Sequence, residues 1–223
     1  MPKIVLLSIL LTISLSAFTQ TQSWDSTYRP TNYVQRVANF RSYPNSTNDI
    51  IFLGNSITDF TDWNELLQLP GARNRGISGD ISFGVLERLD EVIECKPAKI
   101  FLLIGINDIS RNIPDSIILD NYRRMIRQVR LTSPKTGIYF NTLLPVNNTF
   151  PDRNHFNKDQ HIASVNRGLK NICLEEGITL IDIHTPFLDN DKRLNKAFTY
   201  DGLHLNAEGY KKWASILQPY LKN

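Results

Sequence analysis

Cysteine is scarce: only Cys95 and Cys173 occur in 223 residues. Their spacing fits neither a zinc motif nor a redox motif. Both read as small buried apolar residues of amphipathic helices, and a single bridge between them stays open at this level. Charge of one sign is scarce too. The formal net charge is +3 and scattered, with no basic block of the kind that holds nucleic acid. His155, His161 and His184 lack a carboxylate partner at ligand spacing, so neither metal nor cofactor is expected. His184, at a strand end, reads as structural. No internal repeat, low-complexity tract or second-domain linker interrupts the chain, whose length suits one domain.

Long apolar runs are also lacking, with one exception at residues 4–15. That run sits behind Lys3 and ahead of the small pair Ser16-Ala17. This is the pattern of a secretory signal peptide, and the run is too short and too rich in Ser and Thr for a membrane span. No cysteine follows it to carry a lipid. Residues 1–22 are therefore expected to be a cleaved leader, with the mature chain starting between Ala17 and Trp24. The mature protein is expected to be secreted or periplasmic, without stable membrane insertion. Residues 23–48 read as an amino-terminal packing segment, in which Tyr33, Val37 and Phe40 recur at helical spacing. Asn45-Ser46-Thr47 and Asn147-Asn148-Thr149 match the glycosylation sequon.

Residues 49–223 alternate strands with helices. Ile50-Ile51-Phe52-Leu53 is short and continuously apolar, as a parallel strand buried on both faces requires. Gly54 follows, where a sharp turn is expected, and Ser56 comes two residues later. Further strands are expected at 72–77, 100–104, 137–144 and 178–183. A short helix is expected at 63–67, and helical periodicity marks 81–93, 116–129 and 162–173. Asp80 reads as the N-cap of the 81–93 helix and Asn206 as that of the last helix. The alternation predicts an α/β fold with a parallel sheet and helices on both faces.

In this register Ser56, Gly79 and Asn107 each follow a different strand, along the carboxyl edge where open α/β sheets bind ligands. Asp201 and His204 come after the fifth strand. A spacing of three lets an aspartate accept from imidazole Nδ1, which frees Nε2 to take a serine proton. Acyl transfer also needs donors for the oxyanion of the tetrahedral intermediate. The N–H groups of Ser56 and Gly79 and the Asn107 amide supply three. The Gly-x-Ser-x-Gly elbow of α/β-hydrolases is absent, because Thr58 stands where its second glycine belongs.

These residues stand in four blocks: Gly54-Asn55-Ser56-Ile57-Thr58, Gly76-Ile77-Ser78-Gly79-Asp80, Gly105-Ile106-Asn107-Asp108 and Asp201-Gly202-Leu203-His204-Leu205. Together they resemble the SGNH, or GDSL-like, hydrolase family over essentially the whole mature chain. The first block and the Asn-Asp pair look most like secreted bacterial members grouped with platelet-activating-factor acetylhydrolases and carbohydrate acetylesterases. Asn55 departs from the family's usual Asp, which is expected to change local hydrogen bonding and leave activity in place. The resemblance implies a three-layer α/β/α sandwich with a five-stranded, flavodoxin-like parallel sheet. It also implies ester hydrolysis without a metal.

The substrate expected is a small-molecule or glycan ester with a short, chiefly acetyl, acyl group. A lysophospholipid, longer-chain ester or thioester is the alternative. Trp63, shortly after the serine, is either a sugar-stacking ring or a core residue. The loop at 147–157 is a candidate wall of the acyl pocket. A different class stays open: a flavodoxin-like binding protein with Ser56 and Thr58 on a phosphate, or a member that only binds glycans.

Overall fold

A computed structural model describes residues 23–222. The expected leader, residues 1–22, lies outside the described residues. In chain order the elements begin with Tyr33–Ser42 (α1), Ile50–Gly54 (β1), Ser56–Asp59 (α2), Trp63–Leu67 (α3) and Ala72–Gly76 (β2). Ser82–Glu87 (α4), Leu89–Ile93 (α5), Lys99–Leu103 (β3), Ile106–Ser110 (α6) and Asp115–Thr132 (α7) follow. Gly137–Asn141 (β4), Asp159–Glu175 (α8), Thr179–Ile181 (β5) and Ala207–Leu221 (α9) complete the fold. Among the described residues no helix is long and apolar enough to cross a membrane.

The five strands form one parallel sheet in the order β2-β1-β3-β4-β5. This is the flavodoxin-like order. The chain steps outward once, from β1 to β2, and then back across the sheet. With right-handed crossovers, this puts α3 and α9 on one face and α4, α5, α7 and α8 on the other. β1 and β3 lie inside the sheet with all ten residues buried. That explains why both read as unbroken apolar runs rather than alternating ones.

Register lines up Phe52 with Phe101 and Phe101 with Tyr139. Their rings stack across three strands at 5.2 and 4.7 Å. Trp63 lies flat on Phe52 at 4.1 Å and meets Trp213 of α9 edge-on at 4.8 Å. Its indole N–H donates to the Thr58 carbonyl. Trp63 is fully buried, so the core alternative holds and the sugar-stacking one does not.

Several local expectations are corrected. Asp80 does not cap α4: the helix starts two residues later, after Ile81. The Asp80 carboxylate instead accepts from the fully buried Arg88 guanidinium at 3.1 Å. Arg88 also donates to the Gly54 carbonyl and stands at the break that divides the expected 81–93 helix into α4 and α5. Gly54 is required by close approach rather than by a turn. A Cβ there would lie 2.3 Å from the Leu103 carbonyl oxygen. Asn147, the acceptor of the second sequon, is fully buried with its amide donating to the Leu194 carbonyl, so the folded surface does not present it. Cys95 and Cys173 are both free thiols.

Trp63→Ala removes the centre of the aromatic stack. It is expected to lower the unfolding free energy by about 3–5 kcal/mol, measured by denaturant titration. Unchanged stability would contradict a core role for Trp63.

Candidate active site

The carboxyl edge of β1 carries the first site residue. Asn55 caps α2, its Oδ1 accepting from Ile57 N–H at 3.1 Å. Asn caps as well as Asp does, so the replacement of Asp keeps the cap. The difference appears at Nδ2, which is buried and donates to no protein group. Ser56 is the first residue of α2, and its N–H is one of the donors a helix start leaves without an intrahelical acceptor.

The Asp201–His204 turn follows β5 and precedes α9. Asp201 Oδ1 accepts from the N–H groups of Leu203 and His204, at 3.0 and 2.8 Å. Thr199 Oγ1 donates to the His204 carbonyl. These bonds hold the imidazole against both partners: Nδ1 lies 2.7 Å from Asp201 Oδ2, and Nε2 lies 2.9 Å from Ser56 Oγ. Burial pushes the Asp201 carboxyl up. Hydrogen bonds from the His204 side chain and from the two N–H groups outweigh it and hold the group below the usual carboxylate range. Asp201 is thus an ionised acceptor, which assigns the imidazole proton to Nδ1 and leaves Nε2 as an acceptor for the serine hydroxyl. Arg153 also donates to Asp201 Oδ2 at 2.9 Å.

Gly79 and Asn107 lie along the same edge and are tied to one another through Asp80. Gly79 has φ +82°, a left-handed conformation open to glycine. Its N–H has no backbone acceptor among the described residues. The loop is pinned on one side by Ile77 N–H on the Gly54 carbonyl and Ser78 N–H on Asp59 Oδ2. On the other side Asn107 Nδ2 donates to the Asp80 carbonyl at 2.9 Å. Asn107 sits in α6, a short helix that opens directly after β3 and that no helical periodicity announces. Beneath the loop, Asp108 is fully buried and accepts from Ser82 N–H and Oγ. Burial pushes its carboxyl up to about 7 against those bonds.

Three aromatic or basic neighbours were not identified from sequence. The Phe60 ring lies 5.0 Å from the His204 ring. Phe60 and Tyr200 expose their rings on the rim of a groove of about 480 Å³ that also touches Leu66, Leu205 and Tyr210. His155, weighed only as a metal ligand, instead places Nε2 2.9 Å from Asn107 Oδ1. No periodicity or spacing marks these residues, because each reaches the site from a loop. Among the described residues no cluster of three or more His, Cys, Asp or Glu side chains is arranged to hold a metal ion.

A flavodoxin-like sandwich with a serine, histidine and aspartate in one hydrogen-bonded line at the carboxyl edge of its sheet is the architecture of an α/β acylhydrolase. The model of the GDSL-like Lipase/Acylhydrolase family matches residues 52–212, and the chain belongs to that family. The family assignment takes it out of the flavodoxin-like binding class.

Similar proteins agree. A candidate platelet activating factor from Streptococcus pneumonia is 28% identical with a TM-score of 0.79, over 86% of this chain and 93% of that one. A candidate acylhydrolase from Bacteroides fragilis is 26% identical with a TM-score of 0.75, over 87% and 98%. Platelet-activating factor acetylhydrolase IB subunit alpha2 of Rattus norvegicus is 27% identical over 175 residues, 74% of this chain and 72% of its own length.

His155 makes stability depend on pH. Burial first, then the charges of His204, Arg153 and Arg111 against the weaker pull of Asp201, lower it from 6.5 to about 4. The unfolded chain therefore takes up this proton first, and stability is lost as pH falls from about 6.5 to about 4. Asp108, pushed the other way, contributes the opposite slope, so the comparison needs a variant. His155→Gln is expected to flatten the acid loss of melting temperature relative to wild type. Parallel curves for the two proteins would contradict this.

Proposed function

We propose that this acylhydrolase is a serine esterase that hydrolyses short, chiefly acetyl, esters of carbohydrate through an acyl-enzyme on Ser56. The reading rests on one observation, the line from Ser56 Oγ to His204 Nε2 to Asp201 at 2.9 and 2.7 Å. Ser56 Oγ attacks the acyl carbon as its proton passes to His204 Nε2. Asp201 stabilises the imidazolium and keeps its orientation. The carbonyl oxygen, now an oxyanion, accepts from the N–H groups of Ser56 and Gly79 and from Asn107 Nδ2. His204 then returns the proton to the departing alcohol oxygen. Water repeats the sequence on the acyl-enzyme and releases the acid.

Two features of shape support a short acyl group on a larger alcohol. The residues on either side of the serine, Asn55 and Ile57, with Leu103, Ile106, Leu143 and Leu203, leave a cavity of only about 10 Å³. That is room for about one water and none for an alkyl chain. The open groove lies instead beside His204, the side on which the leaving alcohol takes its proton. Its exposed Phe60 and Tyr200 rings offer flat apolar faces, with Thr61, Asn206 and Lys211 as polar groups at the rim. A sugar ring presents the matching pair, C–H faces and a hydroxyl edge. The acetyl group is also the one named for the Rattus norvegicus relative. The carbon lining from Leu66 and Leu205 favours a second reading, a lipid alcohol such as a lysophospholipid. Export through the leader at residues 1–22 belongs to the same reading, since glycan esters are abundant outside the cytoplasm.

Folded Ser56→Ala and His204→Ala are expected to fall to background hydrolysis of p-nitrophenyl acetate. Asn107→Ala is expected to lose about 10²–10³ in kcat with little change in KM, because its donor acts on charge present only in the transition state. Acetate esters should turn over faster than octanoate esters, and Phe60→Ala should impair acetylated glycans more than p-nitrophenyl acetate. Retained activity in Ser56→Ala would overturn the mechanism. A preference for octanoate or lysophospholipid would replace the carbohydrate reading with the second one.

A further inference from the structure

His155 is a half-buried titratable side chain that faces the site and has no part in the steps above. It lies in the loop between β4 and α8, anchored by the buried Phe156 beside it. Its Nε2 is 2.9 Å from Asn107 Oδ1. Its Nδ1 is shielded from solvent and has no protein partner. Burial and the nearby positive charges keep the ring neutral down to about pH 4, so it carries a single proton.

The position of that proton follows from Asn107. The amide Nδ2 donates to the Asp80 carbonyl. A flipped amide would set its oxygen against that carbonyl, acceptor against acceptor, and no tautomer of His155 could relieve the clash. Asn107 therefore presents Oδ1 to His155, and His155 donates from Nε2. One N–H of Nδ2 is engaged by Asp80. The other has no protein acceptor among the described residues.

We propose that His155 is a positioning residue for the reaction, whose Nε2–H locks the Asn107 amide so that its second N–H is aimed at the oxyanion. The proposal rests on Asn107 serving as an oxyanion donor, as read above. A neutral imidazole suits the task better than lysine or arginine. It fixes the amide by hydrogen bonding yet adds no positive charge beside His204, which must itself become positive as it takes the serine proton. Donating to Oδ1 also draws electron density from the amide and makes its N–H a stronger donor.

The test is a double-mutant cycle on the full-length protein, with steady-state kinetics on p-nitrophenyl acetate and a melting temperature for every variant. His155→Phe keeps the ring and removes the donor. It is expected to lower kcat by about tenfold to a hundredfold, part of what one oxyanion donor contributes, with KM changed less than about threefold. His155→Gln, which retains an N–H donor, should recover much of kcat. In the Asn107→Ala background, His155→Phe should cost no further kcat. An equal fractional loss in both backgrounds would overturn the proposal, since His155 would then act independently of the amide. So would unchanged kcat in His155→Phe while Asn107→Ala is impaired, and that result would leave the oxyanion reading standing. Full kcat in Asn107→Ala would remove both.

Discussion

A single hydrogen bond, from Ser56 Oγ to His204 Nε2, joins residues 148 positions apart. Each half of that contact is set by a different part of the fold. Ser56 is placed by the end of β1, held inside the sheet between β2 and β3. Gly54 lets β3 approach and lets α2 start at once. His204 is placed by the start of α9, which docks through Trp213 on Trp63 and the aromatic stack beneath it. Tyr210 closes the gap between the two halves, its hydroxyl donating to the Ile57 carbonyl one residue after the serine. The aromatic core is therefore what brings Ser56 and His204 together.

The loop that carries Gly79 is held differently, by buried polar groups. Arg88 bridges Asp80 and the Gly54 carbonyl. Asp108 gathers Ser82, and Ser82 in turn accepts from Asn121 of α7. Burial raises the carboxyls of both Asp80 and Asp108, so this arrangement contributes less to stability than an apolar core of the same volume. Its value is geometric. Backbone N–H groups stabilise a developing charge only when their directions are fixed beforehand, and a network with each member bonded to its neighbours fixes them. His155 extends the same logic from the loop to the Asn107 side chain.

The sheet was legible because β1 and β3 are buried on both faces, which forces runs that nothing polar interrupts. The edge strand β5 is shorter than expected, at Thr179–Ile181, because its outer residues are partly exposed and pair on one side alone. The four motif blocks were legible because turn chemistry and strand ends fix them locally, and the structure joins Ser56 to His204 and His204 to Asp201 by hydrogen bonds. What sequence could not give is long-range partnership. Asp80 has the composition of an N-cap, but Arg88 claims it from eight residues on. Trp63 was ambiguous because burial is a property of the fold. Phe60, Tyr200 and His155 lie outside any periodic pattern, and their relation to the site exists only once the loops close over the sheet edge.

The central claim is that Ser56 is the nucleophile activated by His204. Covalent labelling tests it most directly: the protein is treated with a fluorophosphonate, digested, and mapped by peptide mass spectrometry alongside esterase activity. The account predicts one adduct, on Ser56, with activity lost in proportion to labelling and no adduct in Ser56→Ala. An adduct on another residue that abolishes activity, or full activity in protein labelled at Ser56, would contradict it.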